Sequence, residues 1–215
     1  TDKEQRKQAN SVINSIKICD PAVGSGHFLV SALNELIAIK SDLHILNYRD
    51  GNRVKGFKID IANDELIITN EEDDQLFDYS LNQNNKPIDE LQKLQETLFH
   101  EKQTIIENCL FGVDINPKSV MICRLRLWVE LLKNSYYRVE TLHATSLHAT
   151  SLPELETLPN IDINIKCGNS LISRFAIDDK NSLLPKDRPY IKRLIENYKI
   201  FVAGYKNALD KREKE

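Results

Sequence analysis

The segment ICDPAVGSGHFLV, residues 18–30, determines the fold that we predict for this chain. It includes the end of an apolar run, residues 16–20, which has the composition of a short buried strand. The run stops at Pro21, because proline has no amide hydrogen to donate to a neighbouring strand. A glycine-containing loop up to Gly26 then leads into leucines and isoleucines at helical spacing over residues 27–40. Strand, glycine loop and helix form the first half of an α/β unit.

Two further apolar segments predict two more strands of the same sheet, CLFGVDI at 109–115 and a third strand at 163–167. Short α/β connections are right-handed, so we predict a parallel sheet in the order third, second, first strand, with helices on both faces. Three residues that commonly bind ligands, Asp20, Asp114 and Asn169, stand at or just after the strand ends. Ligands bind beyond the carboxyl ends of the strands in such sheets, so we expect these side chains to form one site.

The rest of the chain predicts three more helices and one insertion. Helical spacing covers 1–15, 87–107 and 116–134, and we expect the last of these to pack on more than one side because apolar residues cover much of its circumference. Residues of about 47–86 interrupt the pattern with two turn signals and predict a β-hairpin insertion. We expect this insertion to extend away from the ligand-binding edge of the sheet, so that its deletion leaves the site intact.

The segment of about 180–215 differs from the rest of the chain in its charge. It carries ten basic and five acidic residues, a net charge of +5, on a helical pattern. We therefore predict a basic helical arm outside the sheet, either solvated or in contact with a partner such as DNA. All of these elements are expected to belong to one partial domain, 1–215.

The overall composition is that of an ordinary globular protein. The chain has 215 residues, of which 41% are hydrophobic and 28% charged, and a net charge of −3 disfavours tight DNA binding by this chain alone. No apolar stretch approaches the roughly 18 residues that span a bilayer. The four cysteines form no C-x-x-C pair, so we predict reduced core cysteines, no metal site and a cytoplasmic protein.

The loop chemistry favours one cofactor over the common nucleotides. A dinucleotide fingerprint beginning at Gly24 and Gly26 would need a third glycine at position 29, where the chain has Leu29, and no P-loop motif is present. The acid before the loop, Asp20, suits a cationic group better than a phosphate. S-adenosylmethionine has an ammonium group for the first loop and a ribose diol for a second acid, so it fits this pattern. Glycine at 24 and 26 would let the ligand approach the backbone closely.

Three strings in the chain resemble the adenine-specific DNA methyltransferase domain of the large single-chain type II (type IIG-like) restriction–modification enzymes. The string ICDPAVGSGHFLV closely resembles their D-P-A-x-G-S-G-x-F motif. The strings NCLFGVDINPKSVMICRLRLWVELL and LPNIDINIKCGNSLI resemble their second and third motifs. Together the matches cover roughly 16–33, 108–133 and 158–173, in the family's order, and they imply a partial Rossmann-like methyltransferase fold.

The resemblance implies a role for each matching residue. The methionine end of the cofactor would be held by six residues of the first motif: Asp20, Pro21, Ala22, Gly24, Ser25 and Gly26. Asp114 would bind the ribose hydroxyls, and Ile115 would pack on the adenine. Asn169 would face the adenine amino group, although the family often has aspartate there. Taken alone, Asn169 is also compatible with a simple turn residue beside Gly168.

The family's catalytic tetrapeptide, D/N/S-P-P-Y/F/W, does not occur in this sequence. It supplies acceptors and an aromatic face for a base flipped out of the duplex. The nearest string, DRPY at 187–190, lacks the first proline and does not follow an apolar strand. The family's nuclease motif and target-recognition region are also not recognisable here. We therefore expect the cofactor-binding part of an adenine-N6 methyltransferase, inactive alone, with DNA contacted through the parent protein.

Two other functions remain open on the sequence. The first is a methyltransferase acting on RNA or protein, which would share the same cofactor-binding half. The second is a non-catalytic binding or scaffold module that keeps the cofactor fold for assembly. Cofactor binding would argue against the scaffold, whereas the oligomeric state and the DNA target cannot be derived from these motifs.

Overall fold

The computed structural model describes residues 3–80, 88–137, 164–171 and 188–207 of the chain. Its elements in chain order are α1 (Lys3–Ser15), β1 (Ile18–Asp20), α2 (His27–Asp42), β2 (Phe57–Ala62), β3 (Glu65–Asn70), α3 (Asp89–Asn108), β4 (Leu110–Asp114), α4 (Pro117–Leu132), β5 (Ile165–Cys167) and α5 (Arg188–Asn207). The elements alternate between strand and helix, apart from the hairpin formed by β2 and β3.

Strands β1, β4 and β5 form the predicted parallel sheet, in the order β1-β4-β5. This confirms the predicted order of third, second and first strand and the α/β fold class. The strands are shorter than predicted, because ladder pairing in the described residues is confined to 18–20, 110–114 and 165–167. In the register, Asp20 lies beside Gly112 and Asp114 lies beside Cys167, so the carboxyl ends of the strands meet at one edge.

The core lies between the sheet and helices α2, α3 and α4. Leu110 and Ile165 are fully buried on one face of the sheet. Side chains alternate between the faces of a strand, and Cys19 and Lys166, on the opposite face, are exposed. The described residues therefore bury one face of the sheet more deeply than the other. The expectation of four core cysteines is wrong for Cys19 and Cys167, which are exposed, whereas the other two thiols are buried.

The predicted hairpin insertion is present, and it is part of the core. Strands β2 and β3 pair antiparallel from Phe57 beside Asn70 to Ala62 beside Glu65. Ile59 of β2 is only 2% exposed and packs in the main hydrophobic cluster. The hairpin therefore contributes to the same core as the sheet. Residues 81–86 of the predicted insertion lie outside the described part of the chain.

Within the described part of the chain, helix α4 buries one side and not several, contrary to the prediction. Val120, Cys123, Leu127 and Leu131 are buried on its inner face. Five apolar side chains of the same helix are exposed: Met121, Ile122, Leu125, Val129 and Leu132. The high apolar content of this helix thus reflects one buried face and one exposed apolar face. Apolar content alone does not distinguish this arrangement from a helix that is buried on several sides.

Helix α5 lies within the segment predicted as a basic helical arm. The described helix covers 188–207, and 180–187 and 208–215 lie outside the described residues. Six of its large side chains are exposed: Tyr190, Leu194, Ile195, Tyr198, Ile200 and Phe201. None of the described helices is long and apolar enough to cross a membrane.

Candidate functional site

The glycine loop between β1 and α2 folds back across the end of β4. The Val23 amide donates to the Val113 carbonyl at 2.9 Å, and the Gly26 amide donates to the Val23 carbonyl at 2.8 Å. The Val23 side chain lies so close to Gly112 that a Cβ on that glycine would be 2.8 Å from the valine Cγ2. The absence of a side chain at Gly112 therefore allows the loop to pack on the sheet, a requirement that the sequence motif did not reveal.

Two glycines of the loop adopt left-handed backbone conformations, with φ of +52° at Gly24 and +81° at Gly26. A Cβ on Gly26 would lie 2.6 Å from the Sγ atom of Cys123 in α4, so this position also excludes a side chain on packing grounds. Among the described residues, a Cβ on Gly24 would come within 4 Å of the Ala22 carbonyl oxygen alone, at 3.9 Å. Gly26 thus fixes the loop against α4, whereas the described residues leave the space beside Gly24 open.

The first predicted acid, Asp20, organises the start of the loop. Its Oδ1 atom accepts a hydrogen bond from the Ala22 amide at 3.0 Å. The side chain is half-buried, and Pro21, Ala22 and Ser25 are exposed around it. Asp20 therefore caps the turn with one oxygen and still has carboxylate lone pairs for a ligand.

The second acid, Asp114, connects the loop to the end of β4. Its Oδ2 atom accepts from the Gly24 amide at 2.9 Å, and its Oδ1 atom accepts from the Asn116 amide at 2.7 Å. Each carboxylate oxygen has two lone-pair directions, so both oxygens keep a place for a hydroxyl donor. The structure thus brings the first and second motifs of the sequence into direct contact.

The residues after Asp114 combine an exposed apolar side chain with the cap of the next helix. Ile115 is 72% exposed at the end of the strand, an unusual environment for a large apolar side chain next to a carboxylate. Asn116 then caps α4, its side chain accepting from the Lys118 amide at 3.0 Å, with Pro117 in the first turn. The chain therefore presents an apolar surface and a hydroxyl-accepting group side by side.

The third predicted position, Asn169, also lies at this edge. The Gly168 amide donates to the Asp114 carbonyl at 2.9 Å, which holds the segment after β5 beside β4. The Asn169 side chain is exposed, and its Oδ1 atom accepts from the Leu171 amide at 2.9 Å. Asn169 thus stabilises a turn, as the simpler interpretation of the sequence proposed. Its amide oxygen still has a second lone pair for a donor group.

Two residues outside the motif roles hold β5 in place. Asn164 is 4% exposed, and its Nδ2 group lies within 2.8–3.1 Å of the carbonyls of Ile106, Glu107 and Leu110. Arg124 of α4 donates to the Ile165 carbonyl through Nη2 at 2.6 Å. Sequence reasoning missed both roles, because a side chain that bonds distant backbone carbonyls has no characteristic spacing.

The site residues therefore lie along one line, which we call the carboxyl edge: residues 20–26, Asp114, Ile115 and Asn169. With strands about 4.8 Å apart and residues about 3.3 Å apart along each strand, the register places Asp20 about 8 Å from Asp114. On the other side of Asp114, Asn169 follows Cys167, the residue that pairs with Asp114. This line combines two carboxylates, a loop open at Gly24 and an exposed isoleucine, and so it fits a ligand with cationic, diol and apolar parts. The described residues contain no group of three potential metal ligands.

DRPY, the string at 187–190 that is nearest to the missing catalytic tetrapeptide, does not follow any described strand of the sheet. Helix α5 begins at Arg188, so Pro189 and Tyr190 lie in its first turn rather than after a buried strand. Asp187 lies outside the described residues. The prediction that DRPY is not catalytic therefore stays a prediction.

Comparisons with known proteins identify the family. Residues 1–204 match the model of the family described as MmeI, DNA-methyltransferase domain. A protein of Methanocaldococcus jannaschii named "Putative type II restriction enzyme and methyltransferase" is 34% identical over 160 residues, which is 74% of this chain and 9% of that protein. No solved structure matches the chain. The chain belongs to the MmeI DNA-methyltransferase domain family.

Proposed function

We propose that the carboxyl edge binds S-adenosylmethionine. The observation that carries this proposal is the contact between Asp114 and Gly24, because it joins the hydroxyl-accepting acid to the loop that is open to a ligand. Residues 20–26 would hold the methionine end, Asp114 the ribose hydroxyls and Ile115 the adenine ring. Asn169 would accept from the adenine amino group. The bound cofactor would supply the methyl group carried on its sulfonium.

We further propose that the parent protein is a site-specific adenine-N6 DNA methyltransferase of a restriction–modification system. The family match and the name of the archaeal relative support this substrate class. Since the chain spans 9% of that relative, DNA contacts are assigned to the parent rather than to this chain alone, whose net charge of −3 does not favour them. We also propose that the protein is cytoplasmic, because its proposed substrate is DNA.

The chain is proposed to bind the cofactor without transferring its methyl group. Methyl transfer to a base needs acceptors for the amino hydrogens and an aromatic face for the flipped ring, and the motif that provides both is not in this sequence. We accordingly name no catalytic residue within 1–215. A methyltransferase acting on RNA or protein would have the same carboxyl edge, so the substrate must be tested separately from the cofactor.

Calorimetric titration with S-adenosylhomocysteine tests the cofactor assignment. We expect the wild-type chain to bind, and Asp114→Ala to lose at least about tenfold in affinity, since a hydrogen bond to a charged group contributes about 1.5–3 kcal/mol. Asp60→Ala is the matched control, because this exposed aspartate forms an ion pair with Lys58 within the hairpin. Equal affinities of the two variants, or no binding by the wild type, would refute the assignment and favour a scaffold module.

A tritiated-methyl assay tests the reaction assignment. The parent protein is expected to label duplex DNA at adenine, and residues 1–215 alone are expected to leave both DNA and RNA unlabelled. Asp187→Ala should not change cofactor affinity if DRPY is accidental. Labelling of DNA by residues 1–215 would contradict the proposed division between this chain and its parent, and labelling of RNA or protein by the parent would contradict the substrate.

A further inference from the structure

The tip of the hairpin insertion is attached to the helix that follows the glycine loop. Asn63 and Asp64 have φ of +53° and +64°, so they form the two-residue turn between β2 and β3. The backbone carbonyl of Asp64 accepts a hydrogen bond of 2.7 Å from Nδ2 of Asn34. Asn34 lies on α2 and is 1% exposed, so a buried side chain of α2 holds the exposed tip of the hairpin. The hairpin tip therefore packs against α2, whose first turn lies at the ligand-binding edge, and no described contact places it over Gly24 to Gly26.

The Asp64 side chain continues this contact towards the start of α2. Its Oδ1 atom lies 3.5 Å from the Ser31 hydroxyl, and its Oδ2 atom lies 3.4 Å from Nε2 of His27. His27 is the first residue of α2 and directly follows Gly26. The hairpin thus contacts the residue at which the glycine loop ends.

Helix α4 holds the same imidazole from the other side. Nη1 of Arg126 lies 3.3 Å from Nδ1 of His27. A guanidinium group only donates hydrogen bonds, so Nδ1 must accept and the proton of the neutral ring must be on Nε2, which faces Asp64. One imidazole therefore connects the hairpin, α2 and α4.

This bridge matters because the N-cap residue of α2 is Gly26, which has no side chain to cap the helix. Packing against Cys123 confines Gly26 on one side. His27 directly follows Gly26, so the contacts of its ring add a second restraint on the end of the glycine loop. Among the described residues, Asp64 and Arg126 make polar contacts with the two ring nitrogens.

We propose that Asp64 of the hairpin and Arg126 of α4 are positioning residues that hold the glycine loop, through His27, in its cofactor-binding conformation. This inference rests on the proposed function. It assigns the hairpin insertion a part in cofactor affinity that the motif residues do not include. The amino-acid end of the cofactor would then depend on the bridge, because it binds to the glycine loop. The adenosine end would depend on it less, because Asp114 and Ile115 belong to β4 and the segment after it.

Two ligands separate the ends of the site. S-adenosylhomocysteine has the amino-acid end and the adenosine, whereas 5′-methylthioadenosine lacks the amino-acid end. We expect Asp64→Gly to bind S-adenosylhomocysteine about three- to sixfold more weakly and 5′-methylthioadenosine about as well as the wild type, in line with exposed ion contacts. Glycine is chosen because it tolerates the positive φ of this turn. Arg126→Met is expected to give the same selective loss.

The matched control is Asn63→Gly, at the neighbouring turn position with the same sign of φ, which should leave both affinities unchanged. Asp64→Asn keeps an acceptor oxygen and should restore most of the S-adenosylhomocysteine affinity. Thermal unfolding of each variant shows whether it is folded. Equal losses for both ligands would indicate a general structural effect and overturn the inference, as would no loss for either. Failure of the wild type to bind either ligand would instead reject the proposed function.

Discussion

Charged side chains are used in opposite ways at the carboxyl edge and in the helical layer. At the carboxyl edge, Asp20 and Asp114 accept backbone amides and keep lone pairs available at half-buried positions. In the helical layer, Lys40 and Lys102 are 0% and 2% exposed, and both contact carboxylates of other helices. Under the proposed function the edge charges serve a ligand, whereas the interior charges connect helices to one another. Substitutions should therefore separate binding from stability.

The buried Lys40 connects three helices and should give the largest effect. Its Nζ atom contacts Oε2 of Glu101 at 2.6 Å and Oδ1 of Asn14 at 2.5 Å. We expect Lys40→Met to reduce the free energy of unfolding by about 3–5 kcal/mol, because it leaves the Glu101 carboxylate without its buried partner. Urea denaturation measures this loss.

Lys93→Met is the control for that experiment. This lysine pairs with Asp89 on the surface of α3, and loss of an exposed pair costs about 0–1 kcal/mol. A Lys40→Met chain as stable as the Lys93→Met chain would show that the interior pairs do not connect the helices energetically.

The second buried lysine predicts a pH dependence of stability. Burial lowers the pKa of Lys102 to about 8, although Glu130 opposes the shift. Between about pH 8 and the ordinary lysine pKa near 10.5, the unfolded chain binds more protons than the folded one, so stability rises with pH. Relative to Lys102→Met, the wild type should gain about 2–4 kcal/mol as pH increases from 7 to 10.5. Denaturation of both chains across this range measures the difference.

Taking the difference between the two chains removes contributions from groups common to both. Burial raises the pKa of the Cys123 thiol to about 11, and this group contributes stability that is lost at high pH in both chains. If the difference in free energy of unfolding between the two chains stays constant across this range, folding does not lower the pKa of Lys102. A difference that falls with pH would contradict the sign.

The smallest effect is expected at the carboxyl edge, for the exposed Ile115. Ile115→Ala should weaken S-adenosylhomocysteine binding by about fivefold, corresponding to about 1 kcal/mol of lost contact with the adenine. Stability should change little, since the side chain is 72% exposed. Leu132→Ala, an exposed apolar truncation at the other end of α4, serves as control and should leave affinity unchanged. Equal affinities of the two variants in calorimetry would argue against adenine packing on Ile115.

The parts of the molecule that depend on local sequence were predictable. The strand ending at Asp20, the glycine loop and the helix from His27 follow from apolar spacing and from the two glycines, both of which have positive φ. The order of the three strands followed from the right-handedness of α/β connections. The positions of Asp20 and Asp114 at one edge then followed from the parallel register.

Contacts between distant segments were not predictable from spacing. The exposed face of α4 was predicted to be covered because apolar residues occupy much of the circumference of this helix. Apolar content does not, however, specify how many neighbours a helix has. The contact of the hairpin tip with α2 was not predicted, because a turn signal at Asn63–Asp64 says nothing about the Asn34 side chain that holds it. The bridge through His27 likewise joins residues 64, 27 and 126, which no motif relates.

A crystal structure of the chain with saturating S-adenosylhomocysteine would show directly whether the carboxyl edge binds the cofactor. We expect the ribose hydroxyls on the Asp114 carboxylate, the adenine against Ile115 and the amino-acid end over the loop from Asp20 to Gly26. A ligand bound in the 470 Å³ cavity that includes Lys102, or a crystal in which the carboxyl edge stays empty at saturating ligand, would contradict this expectation.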